Sequence, residues 1–128
     1  MSTDLTMLTF SALLTLVLAL PRTTSLIMEK GLASAAGNRD EPFQLADWAE
    51  RAGRAHRNML ENLPVFAALV LVAHVAGATN DSTALGATLF FWGRVAHAVV
   101  YIAGVPWVRT AAFGVSLVGL FMIAGEIL

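Results

Sequence analysis

The chain of 128 residues contains no cysteine, which excludes a disulfide framework, a thiolate metal site and a cysteine nucleophile of its own. Any thiol chemistry must come from a bound small molecule. Charge is scarce as well: Asp, Glu, Lys and Arg make up 13% of the sequence, and eight basic residues against nine acidic ones leave a formal net charge of -1. That balance offers no footprint for nucleic acid. His56, His74 and His97 form no recognised ligand spacing, so no metal site is expected. Internal repeats and low-complexity tracts are absent. The first apolar run, Leu5 to Leu20, lacks a positive leader and carries Asp4 instead, and no small-residue cleavage pattern follows it. It reads as a retained helix rather than a signal peptide.

What the chain has is apolar bulk. Hydrophobic residues make up 57% of it and the mean hydropathy is +0.70, which places it among membrane proteins, as a single domain over residues 1–128. A helix needs about 20 apolar residues to cross a hydrocarbon core of roughly 30 Å, and four segments meet that length, at about 5–27, 60–79, 84–103 and 109–127. The expected fold class is an all-α integral membrane four-helix bundle. Pro21 and Arg22 interrupt the first span, so either the helix kinks there or its last turns leave the hydrocarbon, with Arg22 snorkelling. Pro64 falls near the expected start of the second span, where a missing N–H is tolerated. Between these spans lies a polar stretch from Glu29 to Arg57, with a loop expected at Gly37-Asn38-Arg39-Asp40-Glu41-Pro42. Its second half, from Asp47, reads as helix running unbroken into the second span. Short turn-forming connections follow at Gly77 to Ser82 and Gly104 to Pro106.

Positive charge sets the orientation. Arg22, Lys30, Arg39, Arg51, Arg54 and Arg57 lie in or beside the first connection and Arg109 at the third, whereas the second connection and the ends have none. The first and third connections therefore face the cytoplasm.

Two polar stripes stand out. Arg54, Asn58 and Glu61, at i, i+4 and i+7, share one face of a helix at its membrane entry, with Arg51 and Asn62 beside them. Such groups are costly toward lipid and should point into the bundle or a wet cavity. Arg94, His97 and Tyr101, at i, i+3 and i+7, form the second stripe, and Arg109 follows about two turns later. A buried arginine needs a counter-charge, and Glu61 is the obvious partner for Arg94. The bland alternative is an ion pair between Glu61 and an arginine that merely joins helices, since ion-pair networks and active sites use the same residue types. For His97 it is a packing residue, and for Tyr101 an interfacial aromatic. His74 reads as a residue hydrogen-bonded between helices, Glu126 as one reaching the headgroups, and Trp48, Trp92 and Trp107 as interface or packing aromatics.

The run from Glu50 to Phe66, ERAGRAHRNMLENLPVF, resembles the signature of the MAPEG family, the membrane-associated proteins in eicosanoid and glutathione metabolism. Gly93 to Tyr101, GRVAHAVVY, looks like the family's third-helix motif and is closest to the version in its prostaglandin E synthase branch, with microsomal glutathione transferases as the related branch. The resemblance implies a homotrimer that binds glutathione between subunits toward the cytoplasm. Carried over by motif, it implies that Arg54, Asn58 and Glu61 hold the tripeptide with Arg51 and Arg57 nearby. His97 and Tyr101 would line the pocket, and Arg94 would support Glu61 from behind. Arg109 matches an arginine near the glutathione sulfur, although its spacing from Tyr101 is one residue shorter than in the prostaglandin synthase; Thr110 matches a serine discussed as a thiol partner. Either Arg22 or Lys30 would complete the carboxylate site.

The chemistry agrees with that implication. Glutathione carries two carboxylates and one amine, so it calls for several guanidiniums and one carboxylate. A cation beside sulfur in a poorly hydrated site favours the thiolate, the form that attacks electrophiles. The expected function is a glutathione transferase, peroxidase or related isomerase acting on a lipophilic electrophile or hydroperoxide that arrives through membrane lipid, a role that includes detoxification. Two other classes remain: a non-catalytic lipid-binding scaffold of the same fold, which has no need of buried charges, and a small transporter, which no broken helix pair or inverted repeat supports.

Overall fold

In a computed structural model, which describes residues 1–40 and 44–128, four helical stretches are long and apolar enough to cross a membrane: Thr3–Lys30, Asp47–Val75, Asp81–Ala103 and Pro106–Ile127. The first divides into α1 (Thr3–Leu18) and α2 (Leu20–Lys30). Ser2 caps α1 through its hydroxyl, which accepts from the Leu5 N–H at 3.3 Å. The break falls at Ala19, two residues before Pro21, which occupies the first turn of α2 and has no N–H to continue the ladder. Of the two outcomes open for this span, an interruption is observed. Gly31, at φ +89°, ends α2 in a conformation that disfavours other residues. A short α3 (Leu32–Ala36), not foreseen from the sequence, follows it. Gly37 to Asp40 are non-helical as expected, while Glu41 and Pro42 of the expected loop lie outside the described residues.

Polar entry and membrane span form one helix, α4 (Asp47–Val75). At 1.5 Å per residue its 29 residues extend about 44 Å, more than the roughly 30 Å hydrocarbon core, so the Asp47 end stands clear of it. Pro64 is consequently deep inside the helix rather than near its start, and the carbonyl of Leu60 loses its N–H partner. A capping box starts α5 (Asp81–Ala103): Asn80 Oδ1 accepts from the Thr83 N–H at 3.0 Å, and Thr83 Oγ1 from the Asn80 N–H at 2.9 Å. Gly104, left-handed at φ +85°, ends α5, and Pro106 opens α6 (Pro106–Ile127), three residues before the expected start.

The α5–α6 pair shares the most extensive interface. A Cβ on Gly86 would sit 2.7 Å from the carbonyl oxygen of Gly119, and one on Gly93 would sit 3.0 Å from the amide nitrogen of Ser116. Small residues let these backbones approach closely. Phe66 of α4 stacks on Phe90 of α5 with centroids 3.9 Å apart, and Met59, Val70, Ala87 and Ile123 close the core around them. Outside it, Leu16, Val72, Val99 and Phe121 are exposed, as suits surfaces that meet lipid.

Two polar residues behave differently from expectation. Glu126 accepts a 2.7 Å hydrogen bond from Asn80 Nδ2, which ties the end of α6 to the start of α5. The ring of His74 is exposed near the end of α4 and makes no hydrogen bond among the described residues, because its face of the helix points away from the bundle. Trp92 and Trp107 are largely exposed, at 59% and 85%, consistent with interface aromatics.

Candidate functional site

Three helices converge at the end of the bundle where α4 enters and α5 leaves. The i, i+4, i+7 stripe of α4 brings Arg54, Asn58 and Glu61 onto one wall, as the spacing predicts. The stripe of α5 supplies the facing wall with His97 and Tyr101, and the first two turns of α6 close the end with Arg109, Thr110 and Phe113. Between them lie two clefts: one of about 280 Å³ reaching Arg109 and Thr110, the other of about 200 Å³ reaching Arg54, Arg57 and Glu61. Asn58 and Tyr101 line both, which makes the two clefts neighbouring lobes of one furrow.

The ionic pairing inferred from the sequence is not what forms. Arg94 is fully buried, and its Nη2 donates to Asn58 Oδ1 at 2.5 Å rather than to Glu61. Asn58 lies opposite Arg94 and takes the bond, while Glu61, one helical turn further along α4, is exposed on the furrow. Among the described residues the sole ion pair is Arg22–Glu50 at 3.5 Å. The reading of Glu61 as a purely structural ion-pair partner therefore finds no support, and Arg94 does not back Glu61.

Buried beside the furrow, Nε and Nη1 of Arg94 and Nδ1 of His97 have no partner. The Arg94 guanidinium lies 6.0 Å from the ring of Phe113, and the His97 ring meets Tyr101 edge-on at 5.4 Å. Arg109 holds its guanidinium 4.3 Å over the face of Tyr101, within cation–π range. Thr110 Oγ1 donates to the Pro106 carbonyl at 3.3 Å, a long bond that leaves the hydroxyl free to turn.

Arg51 is elsewhere. Its Nε donates to the carbonyl of Ile102 at 2.9 Å, and its guanidinium packs against Gly104, so it completes the end of α5 and does not line the furrow. Arg54 and Arg57 also flank a larger cavity of about 530 Å³ between α2 and α4, lined by Arg22, Arg39, Glu50 and His56. Of the two first-span candidates, Arg22 faces this cavity, and Lys30 is exposed at the end of α2. Arg39, His56 and Phe113 were not singled out from sequence as site residues. The basic run around His56 was a usable signal; Arg39 gave none, because nothing in its loop relates it to α4. No group of three His, Asp or Glu side chains suited to a metal exists among the described residues.

Four membrane-spanning helices enclosing a cationic furrow at one end define a multi-pass integral membrane protein with a polar site built from α4, α5 and α6. The MAPEG family model matches residues 5–128, and the chain belongs to that family. Its members include glutathione-dependent transferases and isomerases as well as non-catalytic proteins, and the family generally uses glutathione as cosubstrate or cofactor. Neither the curated proteins nor the solved structures contain a significant match.

Proposed function

We propose that the chain is a glutathione-dependent membrane enzyme that joins or delivers a thiolate to lipophilic electrophiles or hydroperoxides, with its site toward the cytoplasm. The observation that carries this reading is the two-lobed furrow, in which Arg54, Arg57 and Glu61 stand at one end and Arg109 and Thr110 at the other, linked by Asn58 and Tyr101. The donor set fits the tripeptide. Two guanidiniums suit its carboxylates, Glu61 suits its ammonium, and the unpartnered buried atoms of Arg94 and His97 show that the inner wall is not self-satisfied.

When bound, glutathione supplies the nucleophilic sulfur. Arg54 and Arg57 hold its carboxylates and Glu61 its amine, which directs the cysteinyl side chain to the other lobe. Arg109 places positive charge beside the sulfur and stabilises its ionised form. The Tyr101 hydroxyl, which has no hydrogen-bond partner among the described residues, and the Thr110 hydroxyl donate to it. Apolar reactants reach the sulfur from the bilayer, where the exposed side chains of Val108 and Trp107 flank the start of α6.

The subunits assemble as a homotrimer in this reading, since Arg54, Arg57 and Glu61 are exposed on a single chain and a neighbour would cover them. Activity measured with glutathione and a generic aromatic halide tests the assignment: purified protein should form the conjugate. An intact oligomer that binds glutathione in calorimetry but turns over neither a halide nor a hydroperoxide would leave a non-catalytic scaffold as the better reading. No binding at all would remove glutathione from the assignment.

A further inference from the structure

The most constrained side chain in the furrow is Asn58. Arginine has donors and no acceptor, so the atom of Asn58 that meets Arg94 Nη2 at 2.5 Å must be the amide oxygen. Asn62 reinforces this: its Nδ2 donates to the Asn58 backbone carbonyl at 2.8 Å and stands 3.4 Å from the same Oδ1. With Oδ1 held inward by two donors, Nδ2 must turn the other way. It has no partner within the chain among the described residues and is not among the buried unpartnered atoms, so it opens onto the furrow.

An unconstrained asparagine presents oxygen or nitrogen with similar ease, since the two ends of the amide are nearly the same size. Arg94 removes that freedom. It cannot rotate away itself, being fully buried against Phe113 and walled by α6 at Gly93, and reversing the amide would set Nδ2 against a guanidinium with nothing to accept. Asn58 also stands where the two lobes meet, between the charged end and the end occupied by Arg109. An extended peptide lying along the furrow puts a backbone carbonyl there.

Resting on the glutathione reading above, we infer that Arg94 is a positioning residue: it locks the Asn58 amide so that Nδ2 donates to a peptide carbonyl of the bound tripeptide beside its thiol-bearing residue. The role of Arg94 is thereby moved from ion-pair partner to orienting group, and its effect on ligand binding passes through Asn58.

A double-mutant cycle on the purified oligomer tests this. Arg94→Met in the wild-type background should raise KM for glutathione about 10-fold, the loss expected when a carbonyl in a partly buried site loses its donor, with kcat little changed. In an Asn58→Ala background the same substitution should change KM by less than about twofold, because the group it orients is gone. Equal effects of Arg94→Met in both backgrounds would overturn the inference, since a merely structural role does not depend on Asn58. A fall in kcat at constant KM would also overturn it, by placing the donor on the sulfur. If Arg94→Met fails to fold, the wild-type protein still decides the matter: with 15N-labelled asparagine, the side-chain amide signal lost in Asn58→Ala should shift on adding glutathione. A signal that does not move sinks the proposal. Wild-type protein that takes up no glutathione in calorimetry sinks the functional reading and this inference together, whereas binding with additive losses sinks this inference alone.

Discussion

Along its first half α5 meets α6 through Gly86, Ala87, Phe90 and Gly93, all buried, with backbones so close that no side chain fits between Gly86 and Gly119. Along its second half the same helix carries Arg94, His97 and Tyr101 into the bundle, and polar atoms there remain unpartnered. Both halves belong to one continuous helix of 23 residues. In lipid there is no water to reward apolar association, so the dry half depends on close van der Waals packing. The polar half carries the desolvation cost of a buried guanidinium that meets an amide rather than a carboxylate. The contrast shows what each half is for: tight packing holds the helices at fixed depth, and that fixed depth lets Arg94 reach Asn58.

The largest effect should come from breaking the dry half. A Cβ at Gly119 would run into the Gly86 carbonyl and lie 2.9 Å from the Phe90 amide nitrogen, and backbone atoms cannot rotate out of the way. Gly119→Val is expected to cost about 3 kcal/mol or more, read as a collapse of the thermal unfolding transition in detergent. Unaltered melting would mean that the α5–α6 seam does not carry the fold.

Breaking the polar half should leave the fold and remove the chemistry. Arg109→Ala takes away the cation held over Tyr101, outside the helix–helix seam. We expect about a 100-fold fall in kcat, in the range for deleting one stabilising group from an active site, with the unfolding temperature nearly unchanged. Turnover that survives the substitution would take Arg109 out of the activating role.

A smaller change sharpens the contrast at the far end of α5. Asn80→Ala removes both the capping box and the bond to Glu126, at a cost of about 1 kcal/mol. Because that cap lies at the opposite end of the bundle from the furrow, KM for glutathione should not change. A rise in KM would show that the two halves are coupled.

The difference between the halves also explains what could be read from the sequence. Spans and stripes follow from periodicity within one helix, so the four helices and the shared face of Arg54, Asn58 and Glu61 were legible. So was the continuity of the polar entry with the second span, because no breaker intervenes before Pro64. What was not legible is the relative depth of neighbouring helices, which is set by packing at Gly86, Gly93 and Gly119 rather than by any spacing along the chain. Hence the partner of Arg94 was assigned to Glu61, a carboxylate chosen on charge, when the helix offset delivers Asn58. Arg39 was out of reach for the same reason, and α3 is too short to leave a periodic signal.

Arg51 is the sharpest case, because the same substitution separates the two readings of it. On the sequence it stands three residues before Arg54 and belongs to the same basic run. In the fold its guanidinium lies against Gly104 and bonds the Ile102 carbonyl, one of the last in α5 that has no intrahelical partner. If Arg51 serves the helix end, Arg51→Met should lower stability by about 0.5–1 kcal/mol, the net value of one hydrogen bond, while KM for glutathione stays within about twofold of wild type. If instead it holds a carboxylate of the tripeptide, KM should rise about 10-fold or more, as for loss of a charge-assisted bond, with little change in melting. Steady-state kinetics and thermal melting on the one variant distinguish these outcomes. The first would confirm that basic residues on neighbouring turns of α4 serve different ends, because Arg51 reaches across to the end of α5 while Arg54 opens onto the furrow.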